Sequence, residues 1–239
     1  MKADRLFYTG AGAMFLVLAL IGFQHYIFGG RHFDGTPIDP AMLAIVVAHS
    51  SAIFAWFLLF FVQALLIASR NRGVHMKLGW SVLVIASAIA VTGPIVAVRS
   101  TRANSFGGVI FDWPGPSFLL IMLTEIVLFV VFVAIGVLNR KRPRIHRPMM
   151  LLASLSILSG ATARIGLVNS IFGLHTWTAL FGPVVAVGVL LLGLRWVLTR
   201  SLDREFAVGF AVFTLVTLAV GQLAFSNVWV SWAGMILKM

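Results

Sequence analysis

The residues of this sequence that could do chemistry are ionisable side chains set within long apolar runs, and the sharpest of them are His49, Glu125 and Arg164. Placing Asp, Arg or Lys at the centre of a hydrocarbon layer costs at least about 2.5–3.5 kcal/mol, so each such group needs a partner or a purpose. Counting inward from the run ends at about 1.5 Å per residue, Glu125 lies roughly 12 Å deep and Arg164 about 6 Å. They stand on consecutive antiparallel runs and can pair. His49, Trp56 and Gln63 recur every seven residues, which is almost two helical turns, so they share one stripe. Ser156, Gly160 and Arg164 recur every four and define a second inward stripe. His49, Glu125 and Arg164 are therefore expected to gather in the outer half of a bundle, with His25, Arg99 and His175 near its rim. Such a cluster reads either as a site for a small ligand or a proton, or as an ion pair that fixes helix register beside a hydrogen-bonded His49. His49, Glu125 and His175 also have donor types that suit zinc or iron, with no spacing that singles them out.

These groups must be positioned by membrane helices. Of 239 residues 60% are hydrophobic and only 10% charged, against about 25% charged in soluble domains, and the mean hydropathy is +1.03. A span needs about 20 mostly apolar residues. Seven runs qualify: Leu6 to Phe28, Ala41 to Ala68, Met76 to Val98, Pro116 to Leu138, Pro148 to Val168, Trp177 to Leu198 and Phe206 to Phe225. The expected fold is an all-α, polytopic bundle of seven transmembrane helices forming a single domain over 1–239, with a four-helix core at about 41–168. The first run is too long for a signal-peptide core and is followed by Gly29-Gly30-Arg31, so it is expected to be a retained helix. Pro94 and Pro183 are expected to kink their helices, and Gly160, Gly188 and Gly193 to allow close packing.

The net charge of +11 would suggest nucleic acid in a soluble protein, but here the cations sit in short loops. Thirteen of the 18 Lys and Arg residues, including Arg70, Arg72 and Arg140 to Arg147, fall on one side of the predicted topology. That asymmetry predicts a cytoplasmic N-terminus, an outer C-terminus and a place in a bacterial-type inner membrane, with the lipid bilayer and not nucleic acid as partner. Trp113, Trp177, Trp229 and Trp232 would mark the outer interface, Trp80 and Trp196 the inner one, and Trp56 is mid-span. The absence of cysteine excludes disulfides, thiolate metal sites and thiol catalysis.

The second and third spans contain His49-Ser50-Ser51-Ala52-Ile53-Phe54-Ala55-Trp56, then Gln63, then Arg70-Asn71-Arg72-Gly73-Val74-His75-Met76-Lys77-Leu78-Gly79; the fourth and fifth are joined through Arg140-Lys141-Arg142-Pro143-Arg144-Ile145-His146-Arg147. Over roughly Ala41 to Val168 the chain resembles transmembrane b-type di-haem cytochromes, whose four-helix core carries axial histidines on its successive helices. It is also similar to bacterial membrane families with a histidine, tryptophan and glutamine stripe followed by a basic loop and a histidine-led helix. The resemblance implies haem b, with His75 and His146 as one axial pair and His49 as half of the other, where the fourth span carries Glu125 instead of a histidine. A bis-histidine site also needs cations for the haem propionates, which Arg72, Lys77, Arg144 and Arg147 would supply.

Three functional classes follow. Haem-linked electron transfer rests on His75 and His146; a transporter or ligand-binding protein rests on His49, Glu125 and Arg164; a structural or assembly subunit would use the polar groups for packing, within a homo-oligomer or larger membrane complex. Nucleotide-binding and hydrolase motifs, namely Walker, Gly-x-Ser-x-Gly and His-Glu-x-x-His sequences, do not occur.

Overall fold

In the computed structural model, residues 2–32, 35–102, 115–173 and 176–237 are described. They form helices α1 (Lys2–Gly29), α2 (Pro40–Ala68), α3 (Arg72–Leu78), α4 (Ser81–Arg102), α5 (Gly115–Leu138), α6 (Pro143–Ser156), α7 (Ser159–Thr162), α8 (Gly166–Phe172), α9 (Thr176–Thr199), α10 (Arg204–Ala224) and α11 (Asn227–Leu237). Six helical segments are long and apolar enough to cross a membrane, and a seventh is completed if α6–α7 and α8, bent by 97°, count as one span. The chain is thus an all-α multi-pass membrane bundle, with exposed Leu6, Val84, Val127 and Leu215 on its lipid-facing surface.

Local chemistry sets the ends that matter for the site. At α2 the Asp39 carboxylate accepts from the Ala41 N–H at 2.8 Å, and Pro40 opens the helix where its missing N–H is no loss. The helix ends at Ser69, and Arg70 takes a left-handed φ of 64°. Asn71 then caps α3 by accepting from Val74 N–H at 3.3 Å. The α5–α6 turn is built in the same spirit, with Pro143 at the first position of α6. Both hairpins therefore reverse over a few basic residues.

Helices α2, α4, α5 and α6 pack as the four-helix core; α1 lies against α2, α7 and α9, and α10 against α5, α6 and α9. The fifth expected span departs from a straight helix. It breaks after Ser156 and again after Thr162, so Ser156, Gly160 and Arg164 do not form one regular helical stripe, although Ser156 and Arg164 are buried. Where α7 meets α1, a Cβ on Gly22 would collide with the Ala161 carbonyl, so only glycine allows this approach. Gly188 serves α9 likewise, with the Phe210 ring over it, whereas Gly193 faces open space. Beyond the seventh run, α11 is too short to cross a bilayer and is tied back by Trp229, whose Nε1–H donates to the Pro116 carbonyl at 2.6 Å.

Candidate functional site

Two cavities are stacked along α2. The larger, about 1050 Å³, opens among the basic turns and is lined by Trp56 and Gln63 of α2, His75 of α3, His146 and Arg147 of α6, Arg72, Arg140 and Lys141, and by Asp4, Arg5 and Tyr8 of α1. The smaller, about 80 Å³, is lined by His49, Ile53, Glu125, Ser159, Arg164 and Tyr26 among mostly apolar neighbours.

His75 and His146 face the same large cavity, near enough for a charge on one ring to be felt by the other. Each is the fourth residue of its helix, after a short basic turn. His75 Nδ1 lies 3.3 Å from the Gln63 carbonyl of α2, and His146 Nδ1 lies 2.9 Å from the Gly136 carbonyl of α5. A carbonyl oxygen can only accept, so at His146 Nδ1 carries the hydrogen and the neutral ring keeps its lone pair on Nε2, the tautomer a metal-binding imidazole uses. At His75 the Gln63 amide competes. With its nitrogen facing the His75 carbonyl at 3.2 Å and its oxygen the Gly79 N–H at 3.0 Å, that nitrogen also donates to His75 Nδ1 at 2.5 Å, which puts the ring hydrogen on Nε2, whereas the bond to the Gln63 carbonyl puts it on Nδ1.

The cavity floor is Trp56, 1% exposed. Its Nε1–H donates to Ser154 Oγ of α6 at 3.1 Å, and its ring meets Phe129 of α5 edge-on at 4.6 Å. Beside the cavity-lining Asp4 and Tyr8, Arg195 of α9 donates to Asp4 and to Asp203 (3.2 Å), Arg147 lies 3.7 Å from Asp4, and the Arg195 guanidinium covers the Phe7 and Tyr8 rings at 5.4 and 5.6 Å. Arg140 stacks over Trp80 at 5.8 Å. Of the cations expected beside the two histidines, Arg72 and Arg147 line the cavity while Lys77 and Arg144 do not; Arg140, Lys141, Arg70 and Arg5 take their places.

In the small cavity His49, Glu125 and Arg164 come together as expected. Ser159 Oγ donates to Glu125 Oε1, and Arg164 donates to the Gly160 carbonyl with its guanidinium 4.9 Å from the Tyr26 ring and 5.5 Å from Phe23. His49 Nδ1 is 2.8 Å from Thr92 Oγ1. His25 and Arg99 line neither cavity; His175 and Trp113 lie outside the described residues. Among the described residues no three His, Asp or Glu side chains converge as a metal site.

Ser159, Thr92, Tyr8, Asp4 and the two carbonyl acceptors were not legible as site groups. Ser159 reaches Glu125 only because the fifth span breaks, and Asp4 lies far from Arg195 in sequence. The one available signal was the repeated placement of a histidine three residues after Arg72 and Pro143.

Fold and site together define a multi-pass helical membrane protein with a histidine-lined cavity at its basic end. Compared with family models, curated proteins and solved structures, the chain matches none.

Proposed function

We propose that the large cavity is a bis-histidine haem b site and that the protein is a membrane electron-transfer component, with its basic end in the cytoplasm of a bacterial-type cell. The observation that carries this reading is the pair of imidazoles: His75 and His146 line one cavity, each with Nδ1 against a backbone carbonyl, an arrangement that leaves Nε2 for a metal when Nδ1 carries the hydrogen. The volume of about 1050 Å³ is sufficient, since cofactor sites typically occupy about 300–1,000 Å³. A bound haem b would supply reversible one-electron chemistry at its iron. His75 and His146 would hold the iron, Arg72, Arg140, Lys141 and Arg147 would neutralise the propionates, and Trp56 with Phe129 would close the floor against water.

The reading has one haem and not two. The cavity that holds His49 measures about 80 Å³, below the cofactor range, and it presents Glu125 where a second imidazole would be needed. His49 is therefore assigned no ligand role.

The test is an optical spectrum of detergent-purified protein, oxidised and dithionite-reduced, with His75→Ala and His146→Ala alongside. Reduced b-type bands that vanish in both variants are expected. A colourless, folded wild-type protein from haem-sufficient cells would remove the reading.

A further inference from the structure

Less than one turn of α2 separates Ile53, which lines the small cavity, from Trp56, which lines the large one. The small cavity lies beside the broken fifth span: Ile157, Ser159, Gly160, Ala163 and Arg164, which form or flank the two breaks, all line it. Irregular backbone at membrane depth persists where it is buried in protein or borders water, and the groups across from the break decide between the two. His49 comes from α2 and Glu125 from the middle of α5, and both side chains are half-buried. Thr92 gives its only hydroxyl hydrogen to the Ala88 carbonyl at 2.6 Å, so the hydrogen in the 2.8 Å contact with His49 belongs to Nδ1, and the neutral ring keeps its lone pair on Nε2. The Ser159 hydroxyl engages only Oε1 of Glu125. Among the described residues no protein group hydrogen-bonds to His49 Nε2 or to Glu125 Oε2. Left so in an apolar interior, each atom would forfeit the hydrogen bond it makes in water.

Charge restricts what can occupy this space. A cation would face the Arg164 guanidinium, and an anion would face Glu125 whenever that carboxyl is ionised. A neutral molecule that both donates and accepts suits Glu125 in either protonation state. The cavity of about 80 Å³ has room for more than one water, each of which needs about 10–15 Å³ and two to four polar partners. His49, Glu125, Ser159 and Arg164 supply those partners. We propose that the small cavity is an internal water site, in which a few bound waters hydrogen-bond to Glu125 Oε2 and His49 Nε2 beside the broken span. The site is independent of the bis-histidine reading. It makes a carboxyl and an imidazole on different helices members of one hydrogen-bonded network, and it explains why the fifth span breaks where it faces them.

The experiment is X-ray hydroxyl-radical footprinting of the full chain in detergent, read by mass spectrometry at individual methionines, with and without a bulky polar radical scavenger in the bulk solution. The radicals form from water and react close to where they form, so a methionine inside the bundle is oxidised by water held next to it. Met122 lines the small cavity, Met149 is buried and lines neither cavity, and Met235 is 57% exposed. The scavenger is expected to suppress oxidation at Met235 and to leave that at Met122, which runs several-fold faster than at Met149. In Glu125→Leu the Met122 rate is expected to fall to that of Met149. A wild-type Met122 as slow as Met149, a Met122 rate suppressed together with that of Met235, or an unchanged rate in Glu125→Leu overturns the proposal. If Glu125→Leu does not fold, His49→Leu removes the other polar atom and Met122 must slow there; the wild-type comparison decides without either variant.

Discussion

Replacing Trp56 by Phe and Ser154 by Ala, singly and together, tests whether the wall between the two cavities is held by one hydrogen bond. The two ends of that bond are not equivalent. Ser154 already gives its hydroxyl hydrogen to the Met150 carbonyl at 3.0 Å, so Trp56→Phe leaves behind only an acceptor lone pair. Ser154→Ala leaves a buried indole N–H with no acceptor. A stranded buried donor costs about 1–3 kcal/mol, while hydrogen bonds between membrane helices are worth about 0.6 kcal/mol on average and up to about 1.7. The smaller volume of Phe adds a cost of its own, but that term enters both legs of the cycle and cancels. Ser154→Ala is thus expected to destabilise by about 1–3 kcal/mol, and the double variant by about 0.6–1.7 kcal/mol less than the sum of the singles. The assay is unfolding in mixed detergent–dodecyl sulfate micelles followed by helical circular dichroism, which does not depend on Trp56 as a reporter. Strict additivity would refute the reasoning, because it would mean that α2 and α6 are not joined at this point.

Three further outcomes are expected. His49→Ala keeps the reduced b-type spectrum that His75→Ala and His146→Ala lose, and loss of the spectrum in all three would place haem at both ends of α2. Gly22→Val destabilises by about 3 kcal/mol, the upper end for overpacking, because its side chain meets the Ala161 carbonyl and backbone yields less than a side chain; the same unfolding assay reads it, and a wild-type midpoint would show that α1 and α7 are not in close contact. Acidification below the ordinary imidazole range, about pH 6.5, releases haem, since protons compete for both Nε2 atoms and the ligating form is the neutral one. Haem retention that is flat down to pH 4.5 in a spectral titration would contradict that competition.

The spans were legible because the apolar runs are long and their ends are marked by basic turns, and the α2 stripe was legible because a spacing of seven fixes one face of any helix. Trp56 and Gln63 accordingly line one cavity and His49 the other. The break in the fifth span was not legible: between Ser156 and Arg164 only Gly160 interrupts helix-compatible residues, and α7, the piece between the two breaks, packs against the distant α1 and α9. That break carries Ser159 to Glu125. The Asp4–Arg195 pair was missed for a related reason, since the two residues stand far apart in the sequence and meet only through the packing of α1 on α9.

Each imidazole has a main-chain carbonyl within reach of Nδ1, that of Gln63 for His75 and that of Gly136 for His146. Their aim is therefore set by how many helical residues precede each histidine. One residue inserted in the first turn of α3, between Arg72 and His75, or of α6, between Pro143 and His146, would turn the histidine by about 100° around its helix relative to the residues before it, carrying its ring off the carbonyl. In this protein a one-residue insertion that alters neither histidine would do what a substitution of one does.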